Sequence, residues 1–102
     1  MAVPATLYKL KPVAFEQLTS VSSATILTVA TYKNANIALI ECDHTANKYV
    51  RWRDDGVAPT ATVGMTIAPG GQLYYDGDLS AIQLIEESAS AKINVTYYLA
   101  GV

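Results

Sequence analysis

The stretch YVRWRDDGVAPTATVG, residues 49–64, carries the chain's single Trp, two of its seven Lys and Arg residues, an Asp-Asp-Gly run and a proline. Side chains alternate between faces along a strand, so Tyr49 to Arg53 reads as a strand with Val50 and Trp52 on one side and Tyr49, Arg51 and Arg53 on the other. Asp54-Asp55-Gly56 ends it: Asp side chains bond nearby backbone amides, and Gly tolerates positive φ. Pro59 extends the loop that follows. Trp52 is thereby expected as a core anchor. Arg51 and Arg53 are expected to pair with Asp54, Asp55 or acids on neighbouring strands or chains, because the planar guanidinium bonds carboxylates through two N–H groups at once. These four charged residues, with Tyr98, are the candidate interface.

Downstream, Val63, Met65 and Ile67 alternate with Gly64, Thr66 and Ala68, the period of a half-buried strand. Pro69-Gly70-Gly71 has the order of a type II turn and predicts a hairpin between Thr62–Ala68 and Gln72–Tyr75. Asp76-Gly77-Asp78 is the next turn, so Gly56, Gly70 and Gly77 are the three turn glycines singled out. Ser80 to Glu86 places Ile82 and Leu84 on one face and Ala81 and Ile85 on the other; a helix over Leu79–Ala89 is its competitor, on the strength of Ala81, Gln83, Glu86 and Glu87. Ala91 to Leu99 alternates most regularly of all, with Ile93, Val95, Tyr97 and Leu99 against Lys92, Asn94, Thr96 and Tyr98.

Upstream, Asp43 to Asn47 is turn-like. Ile37 to Cys42 is apolar on both faces, as a central strand is. Tyr32 to Asn36 is a polar connection, Ile26 to Val29 a short strand and Thr19 to Thr25 a loop. Val13, Phe15 and Leu18 mark another apolar segment. Residues 1–12, bracketed by Pro4 and Pro12, read as an N-terminal arm or edge strand ahead of one β domain over residues 13–102. Turn signals recur about every ten residues, which predicts an all-β, single-domain antiparallel β-sandwich or jelly-roll-like barrel of about seven or eight short strands.

The totals agree with one packed domain. The chain has 102 residues, 51% hydrophobic and 16% charged, and no apolar run approaches a membrane span. MAVPATLYKLKP lacks the apolar core of a secretory signal, so a product made in the cytoplasm is expected. A net charge of −2 without a basic run argues against phosphate-driven nucleic-acid binding. Cys42 is the only cysteine, which excludes an intrachain disulfide and a multi-thiolate zinc site.

Chemistry-bearing patterns are sparse. Cys42 and His44 stand two apart, about 6.6 Å along a strand, but nothing nearby supplies an orienting third group. Asp54, Asp55, Asp76 and Asp78 offer oxygen ligands without a calcium-loop spacing, and as a carboxylate pair for glycoside hydrolysis they show no defined separation. Asn94-Val95-Thr96 matches a glycosylation acceptor but lies mid-strand. The reading is of no catalytic residue, no metal and no cofactor. Trp52, Tyr74, Tyr75, Tyr97 and Tyr98 are the aromatic side chains on which a sugar-binding alternative would depend.

The run VRWRDDGVAPTATVGMTIAPGGQLYYDGDLSAIQLI, with the later INVTYY, resembles a group of small virion proteins of tailed bacteriophages over Val50 to Tyr98. The resemblance is carried by RWRDDG, PTATVGM and DLS. It implies an all-β, non-enzymatic structural component of the particle, foremost a capsid decoration or cement protein. Its expected partners are the major capsid protein or other virion proteins and further copies of itself, with a trimer as one expectation. A neck or tail protein, or a carbohydrate-binding module for host attachment, is the alternative.

Overall fold

The computed structural model describes residues 9–100. Eight strands and one helical turn follow in order: β1 (Lys11–Leu18), β2 (Thr25–Ile26), α1 (Val29–Tyr32), β3 (Ile37–Cys42), β4 (Val50–Arg53), β5 (Met65–Ile67), β6 (Gln72–Tyr75), β7 (Gln83–Glu86) and β8 (Ile93–Leu99). They form two four-stranded sheets, β1-β8-β3-β6 and β2-β7-β4-β5, antiparallel throughout. The arm expected over residues 1–12 falls mainly outside the described residues. Lys9 and Leu10 are exposed and precede β1, whereas Lys11 and Pro12 already pair with Leu99 and Tyr98.

The pairing is nested. β4 pairs with β5, β3 with β6, β2 with β7 and β1 with β8, so the chain is one long hairpin folded at residues 54–64 and rolled up. Two further pairings, β3 with β8 and β4 with β7, close the roll. This is the strand order of a jelly roll. Trp52 opposite Met65 is the last register pair before the fold point.

Alternation supplies the core. Ala38, Ile40 and Cys42 of β3 face Ile82, Leu84 and Val50 from the other sheet, and Ile93, Val95 and Tyr97 of β8 lie beside them, all nearly inaccessible. Burying such a side chain contributes about 1.5–3 kcal/mol, so these positions specify the register. Ile82 and Leu84 at 0% exposure settle the competition over Leu79–Ala89 in favour of a strand. Only a single turn forms ahead of it, with Ala81 N–H donating to the Asp78 carbonyl.

The expected hairpin at Pro69-Gly70-Gly71 is not formed. The turn itself is present: Gly71 N–H donates to the Ala68 carbonyl at 2.7 Å and Gly70 has φ 81°. Yet β5 pairs with β4 and β6 with β3, so the turn carries the chain from one sheet to the other. A type II turn splays the strands it joins instead of matching their twist. Gly70 N–H donates to the Cys42 carbonyl and Cys42 N–H to the Gly71 carbonyl, a glycine bulge that seats the crossover on the end of β3.

A second departure lies at Ile26–Val29, read as a strand. Only Thr25 and Ile26 pair, and Val29 opens α1. The Glu16 carboxylate accepts from Thr28 Oγ1 at 2.6 Å and from Thr28 N–H at 3.2 Å, pinning the start of that turn. Among the described residues no helix is long and apolar enough to cross a membrane.

Candidate functional site

The outer face of the β1-β8-β3-β6 sheet carries an apolar row. Register aligns Phe15, Thr96, Leu39 and Tyr74 across the four strands. Their neighbours Ala14, Val95, Ile40 and Leu73 point inward, so these four point out. Phe15 is 61% and Tyr74 52% exposed, on the two edge strands, about 14 Å apart at three strand spacings. Tyr98, half-buried, lies one row further along the same face, opposite Pro12 and Ile37.

A polar ladder borders that row. Gln17, Asn94, Glu41 and Gln72 occupy matching register positions. Gln17 Nε2 donates to Asn94 Oδ1 at 2.8 Å, and Asn94 Nδ2 donates to Glu41 Oε1 at 3.0 Å. The sequon asparagine is thus a link in a side-chain network. Asp43 ends the ladder; the Thr45 hydroxyl and amide, followed by Asn94, hold its carboxyl below the usual carboxylate range. Between row and ladder lies a shallow depression of about 310 Å³. An apolar centre with a hydrogen-bonded polar border is the anatomy of a protein-binding patch.

The residues of the opening stretch sit elsewhere, on the opposite sheet. Arg51 Nε bonds Glu87 Oε2 at 2.7 Å, and its Nη1 donates to the Gly64 carbonyl at 3.1 Å, tying the 54–64 loop to β4. Arg53 grips Asp55 through two bonds, at 2.9 and 2.5 Å. That pair holds the Asp55 carboxyl below its ordinary range. Solvent screens exposed pairs of this kind, so their effect here is mainly on loop geometry. Of the five candidate interface residues, Tyr98 alone lies on the apolar sheet face.

Trp52 is half-buried, packed against the core and edge-to-face with Tyr75 at 6.2 Å. The Tyr75 hydroxyl donates to Asp54 Oδ2 at 3.0 Å; burial and then this bond push its pKa up to about 12. Gly77 serves by closeness, not by turn conformation: a Cβ there would stand 2.7 Å from the Tyr75 hydroxyl. Of the five aromatic side chains on which sugar binding would depend, Tyr75 and Tyr97 are interior, which leaves Tyr74, Tyr98 and part of Trp52 at the surface.

Cys42 and His44 are kept apart. The Cys42 thiol is buried, donates to the Lys48 carbonyl and is pushed up to about 11 by burial, then by Asp43 and Glu41. His44 is exposed on the loop beyond β3. Among the described residues no group of three His, Cys, Asp or Glu side chains converges as metal ligands.

Sequence reasoning did not mark Phe15 and Leu39 as surface: Val13, Phe15 and Leu18 read as one apolar segment and Ile37 to Cys42 as apolar on both faces, whereas Tyr74 is among the candidate surface aromatics. The true phase of β1 is set by an irregularity between Pro12 and Ala14 and by Glu16. The Glu16 carboxylate turns inward to accept from the buried Tyr97 hydroxyl as well as from Thr28. Glu16, an acid directly after the aromatic Phe15 within an apolar segment, was the available signal. Comparison of the chain with protein-family models, curated proteins and solved structures finds no match.

Proposed function

We propose that the chain is a non-enzymatic structural component of a tailed-phage particle, acting as a capsid decoration or cement protein through protein–protein contacts. The observation that carries the contact role is the Phe15–Leu39–Tyr74 row on one outer sheet face, exposed at Phe15 and Tyr74 and half-buried at Leu39, where a sandwich ordinarily presents polar side chains. The phage setting rests on the resemblance of residues 50–98. A rigid sandwich presenting a flat apolar row suits a shell, where area is covered without movement.

The test is binding to purified heads that lack the protein. Covering Phe15 and Tyr74 is worth about 1.5–3 kcal/mol each, so Phe15→Ser with Tyr74→Ser should weaken head binding about 100-fold or more. Both side chains are exposed, so the melting temperature should barely move. Equal binding by the double variant, or no binding by the wild type, would overturn the proposal.

A further inference from the structure

The free edge of β6 has no partner strand among the described residues, and its hydrogen-bonding phase can be read. Cys42 exchanges bonds with Gly70 and Gly71, and Asp43 N–H donates to the Lys92 carbonyl of the strand on the other side. Antiparallel bonding alternates, so Ile40 and Ala38 bond Leu73 and Tyr75. The backbone N–H and C=O groups of Gln72 and Tyr74 then point to the open side.

The same edge opens onto a groove. β5 and β6 are edge strands of different sheets, joined only by the crossover at Pro69-Gly70-Gly71, so the sandwich is unclosed between them. The gap holds about 290 Å³ and is walled by Trp52, Met65, Ile67 and Leu73. Met65 is 62% exposed there. Unpaired backbone beside an apolar groove is the arrangement that accepts an added strand.

Residues 1–8, MAVPATLY, lie ahead of the described chain and carry no charged side chain. We infer that residues 1–8 of a second copy add as a strand parallel to β6 along its free edge, with Val3, Ala5 and Leu7 in the groove beside Trp52 and Leu73. Pro4 has no N–H, so its nitrogen must face away from β6. In a strand parallel to β6 that same parity turns the backbone of Val3, Ala5 and Leu7 toward β6 and puts their side chains in register with Leu73 and Tyr75, on the groove face. Eight extended residues span about 26 Å, against about 13 Å for the four residues of β6. Within one molecule, Lys9 leads into β1, the opposite edge of the sheet and about 14 Å from β6. Crossing that face would consume about half the segment and leave only about 12 Å, barely the length of β6, with no residue over for the change of direction at the corner. The acceptor is therefore a neighbour. Joining the β1 side of one copy to the β6 side of the next makes a heterologous contact, which closes into a ring or continues as a chain.

The inference rests on the reading of the protein as an assembly component, but its test is separate from head binding. Full-length protein is followed by sedimentation velocity over a wide concentration range, alongside Val3→Asp/Leu7→Asp and Gln72→Pro, each with a thermal melt. Gln72→Pro removes one outward N–H and leaves the β3 pairing intact. Each variant alone should be monomeric with a wild-type melt, while the wild type forms a larger species. Mixed, the two variants should give a one-to-one heterodimer and nothing larger, because one keeps only a working edge and the other only a working segment. A monomeric wild type, variants that assemble normally, or a mixture that stays monomeric while the wild type assembles would each overturn the inference. None of these bears on head binding through Phe15 and Tyr74.

Discussion

Gly56→Val isolates the backbone term at the fold point of the rolled hairpin. Gly56 has φ 86°, and a Cβ placed on it would meet nothing within 4 Å. No clash contributes, so the whole effect is the cost of holding an L residue in the left-handed region, about 1–2 kcal/mol, with β-branched Val at the upper end. For a 102-residue domain the entropy of unfolding is about 0.2 kcal/mol per kelvin near the midpoint, which converts the cost to a melting temperature lower by about 5–10 °C. The assay is a circular-dichroism melt of wild type, Gly56→Val and Gly56→Asn at several concentrations, to separate folding from assembly. Asn tolerates the left-handed region and should lose less than half as much. Equal losses for Val and Asn, or no loss for Val, would refute the reasoning.

Tyr97→Phe deletes a buried hydroxyl that donates to the Glu16 carboxylate, and should lower stability by about 1.5–3 kcal/mol in urea unfolding, as expected for a bond to a charged group. A loss below about 0.5 kcal/mol would mean that Glu16 finds equivalent solvation without it. Cys42 should resist alkylation in the native state at pH 8 and react at once in urea, since its thiol is buried and its pKa raised; fast native labelling would contradict the packing. Tyr75 has a folded pKa near 12 against an ordinary 10, so the folded state holds its proton longer than the unfolded state. Its contribution is complete below pH 10 and is lost as pH rises from 10 through 12. Tyr75→Phe should flatten that alkaline decline in urea midpoints, and an unchanged slope would remove Tyr75 as its source.

Much of the architecture was legible because it is written in alternation. β7 and β8 could be read from Ile82 with Leu84 and from Ile93–Tyr97, which keep a two-residue phase between core and outside, and β3 from Ile37–Cys42, apolar on both faces as a central strand is. The turn glycines Gly56 and Gly70 were legible for the conformation they adopt. What alternation does not encode is which strand receives which. Pro69-Gly70-Gly71 announces a turn whether it closes a hairpin or bridges two sheets; only the bonds to Cys42, nearly 30 residues away, decide. The α1 turn depends in the same way on Glu16, 12 positions before Thr28. The apolar face was illegible for a related reason. Phe15, Leu39 and Tyr74 come from three strands, and their assembly into one row is a product of register.

The nested pairing also sets an order for acquiring the structure. Trp52 and Met65 are 13 positions apart, whereas Leu18 and Ile93 are 75 apart. Closing the outer loop in an otherwise open chain costs about 1.5 kcal/mol more than closing the inner one, because closure entropy grows with the logarithm of length. Once β4 meets β5, each outer pair has only a short increment left to close. The roll therefore winds from its middle outward, and β1, made before the other described strands, waits for β8, made after them. Substitutions around Trp52 and Met65 should accordingly slow folding, while those that loosen β1 from β8 should mainly hasten unfolding.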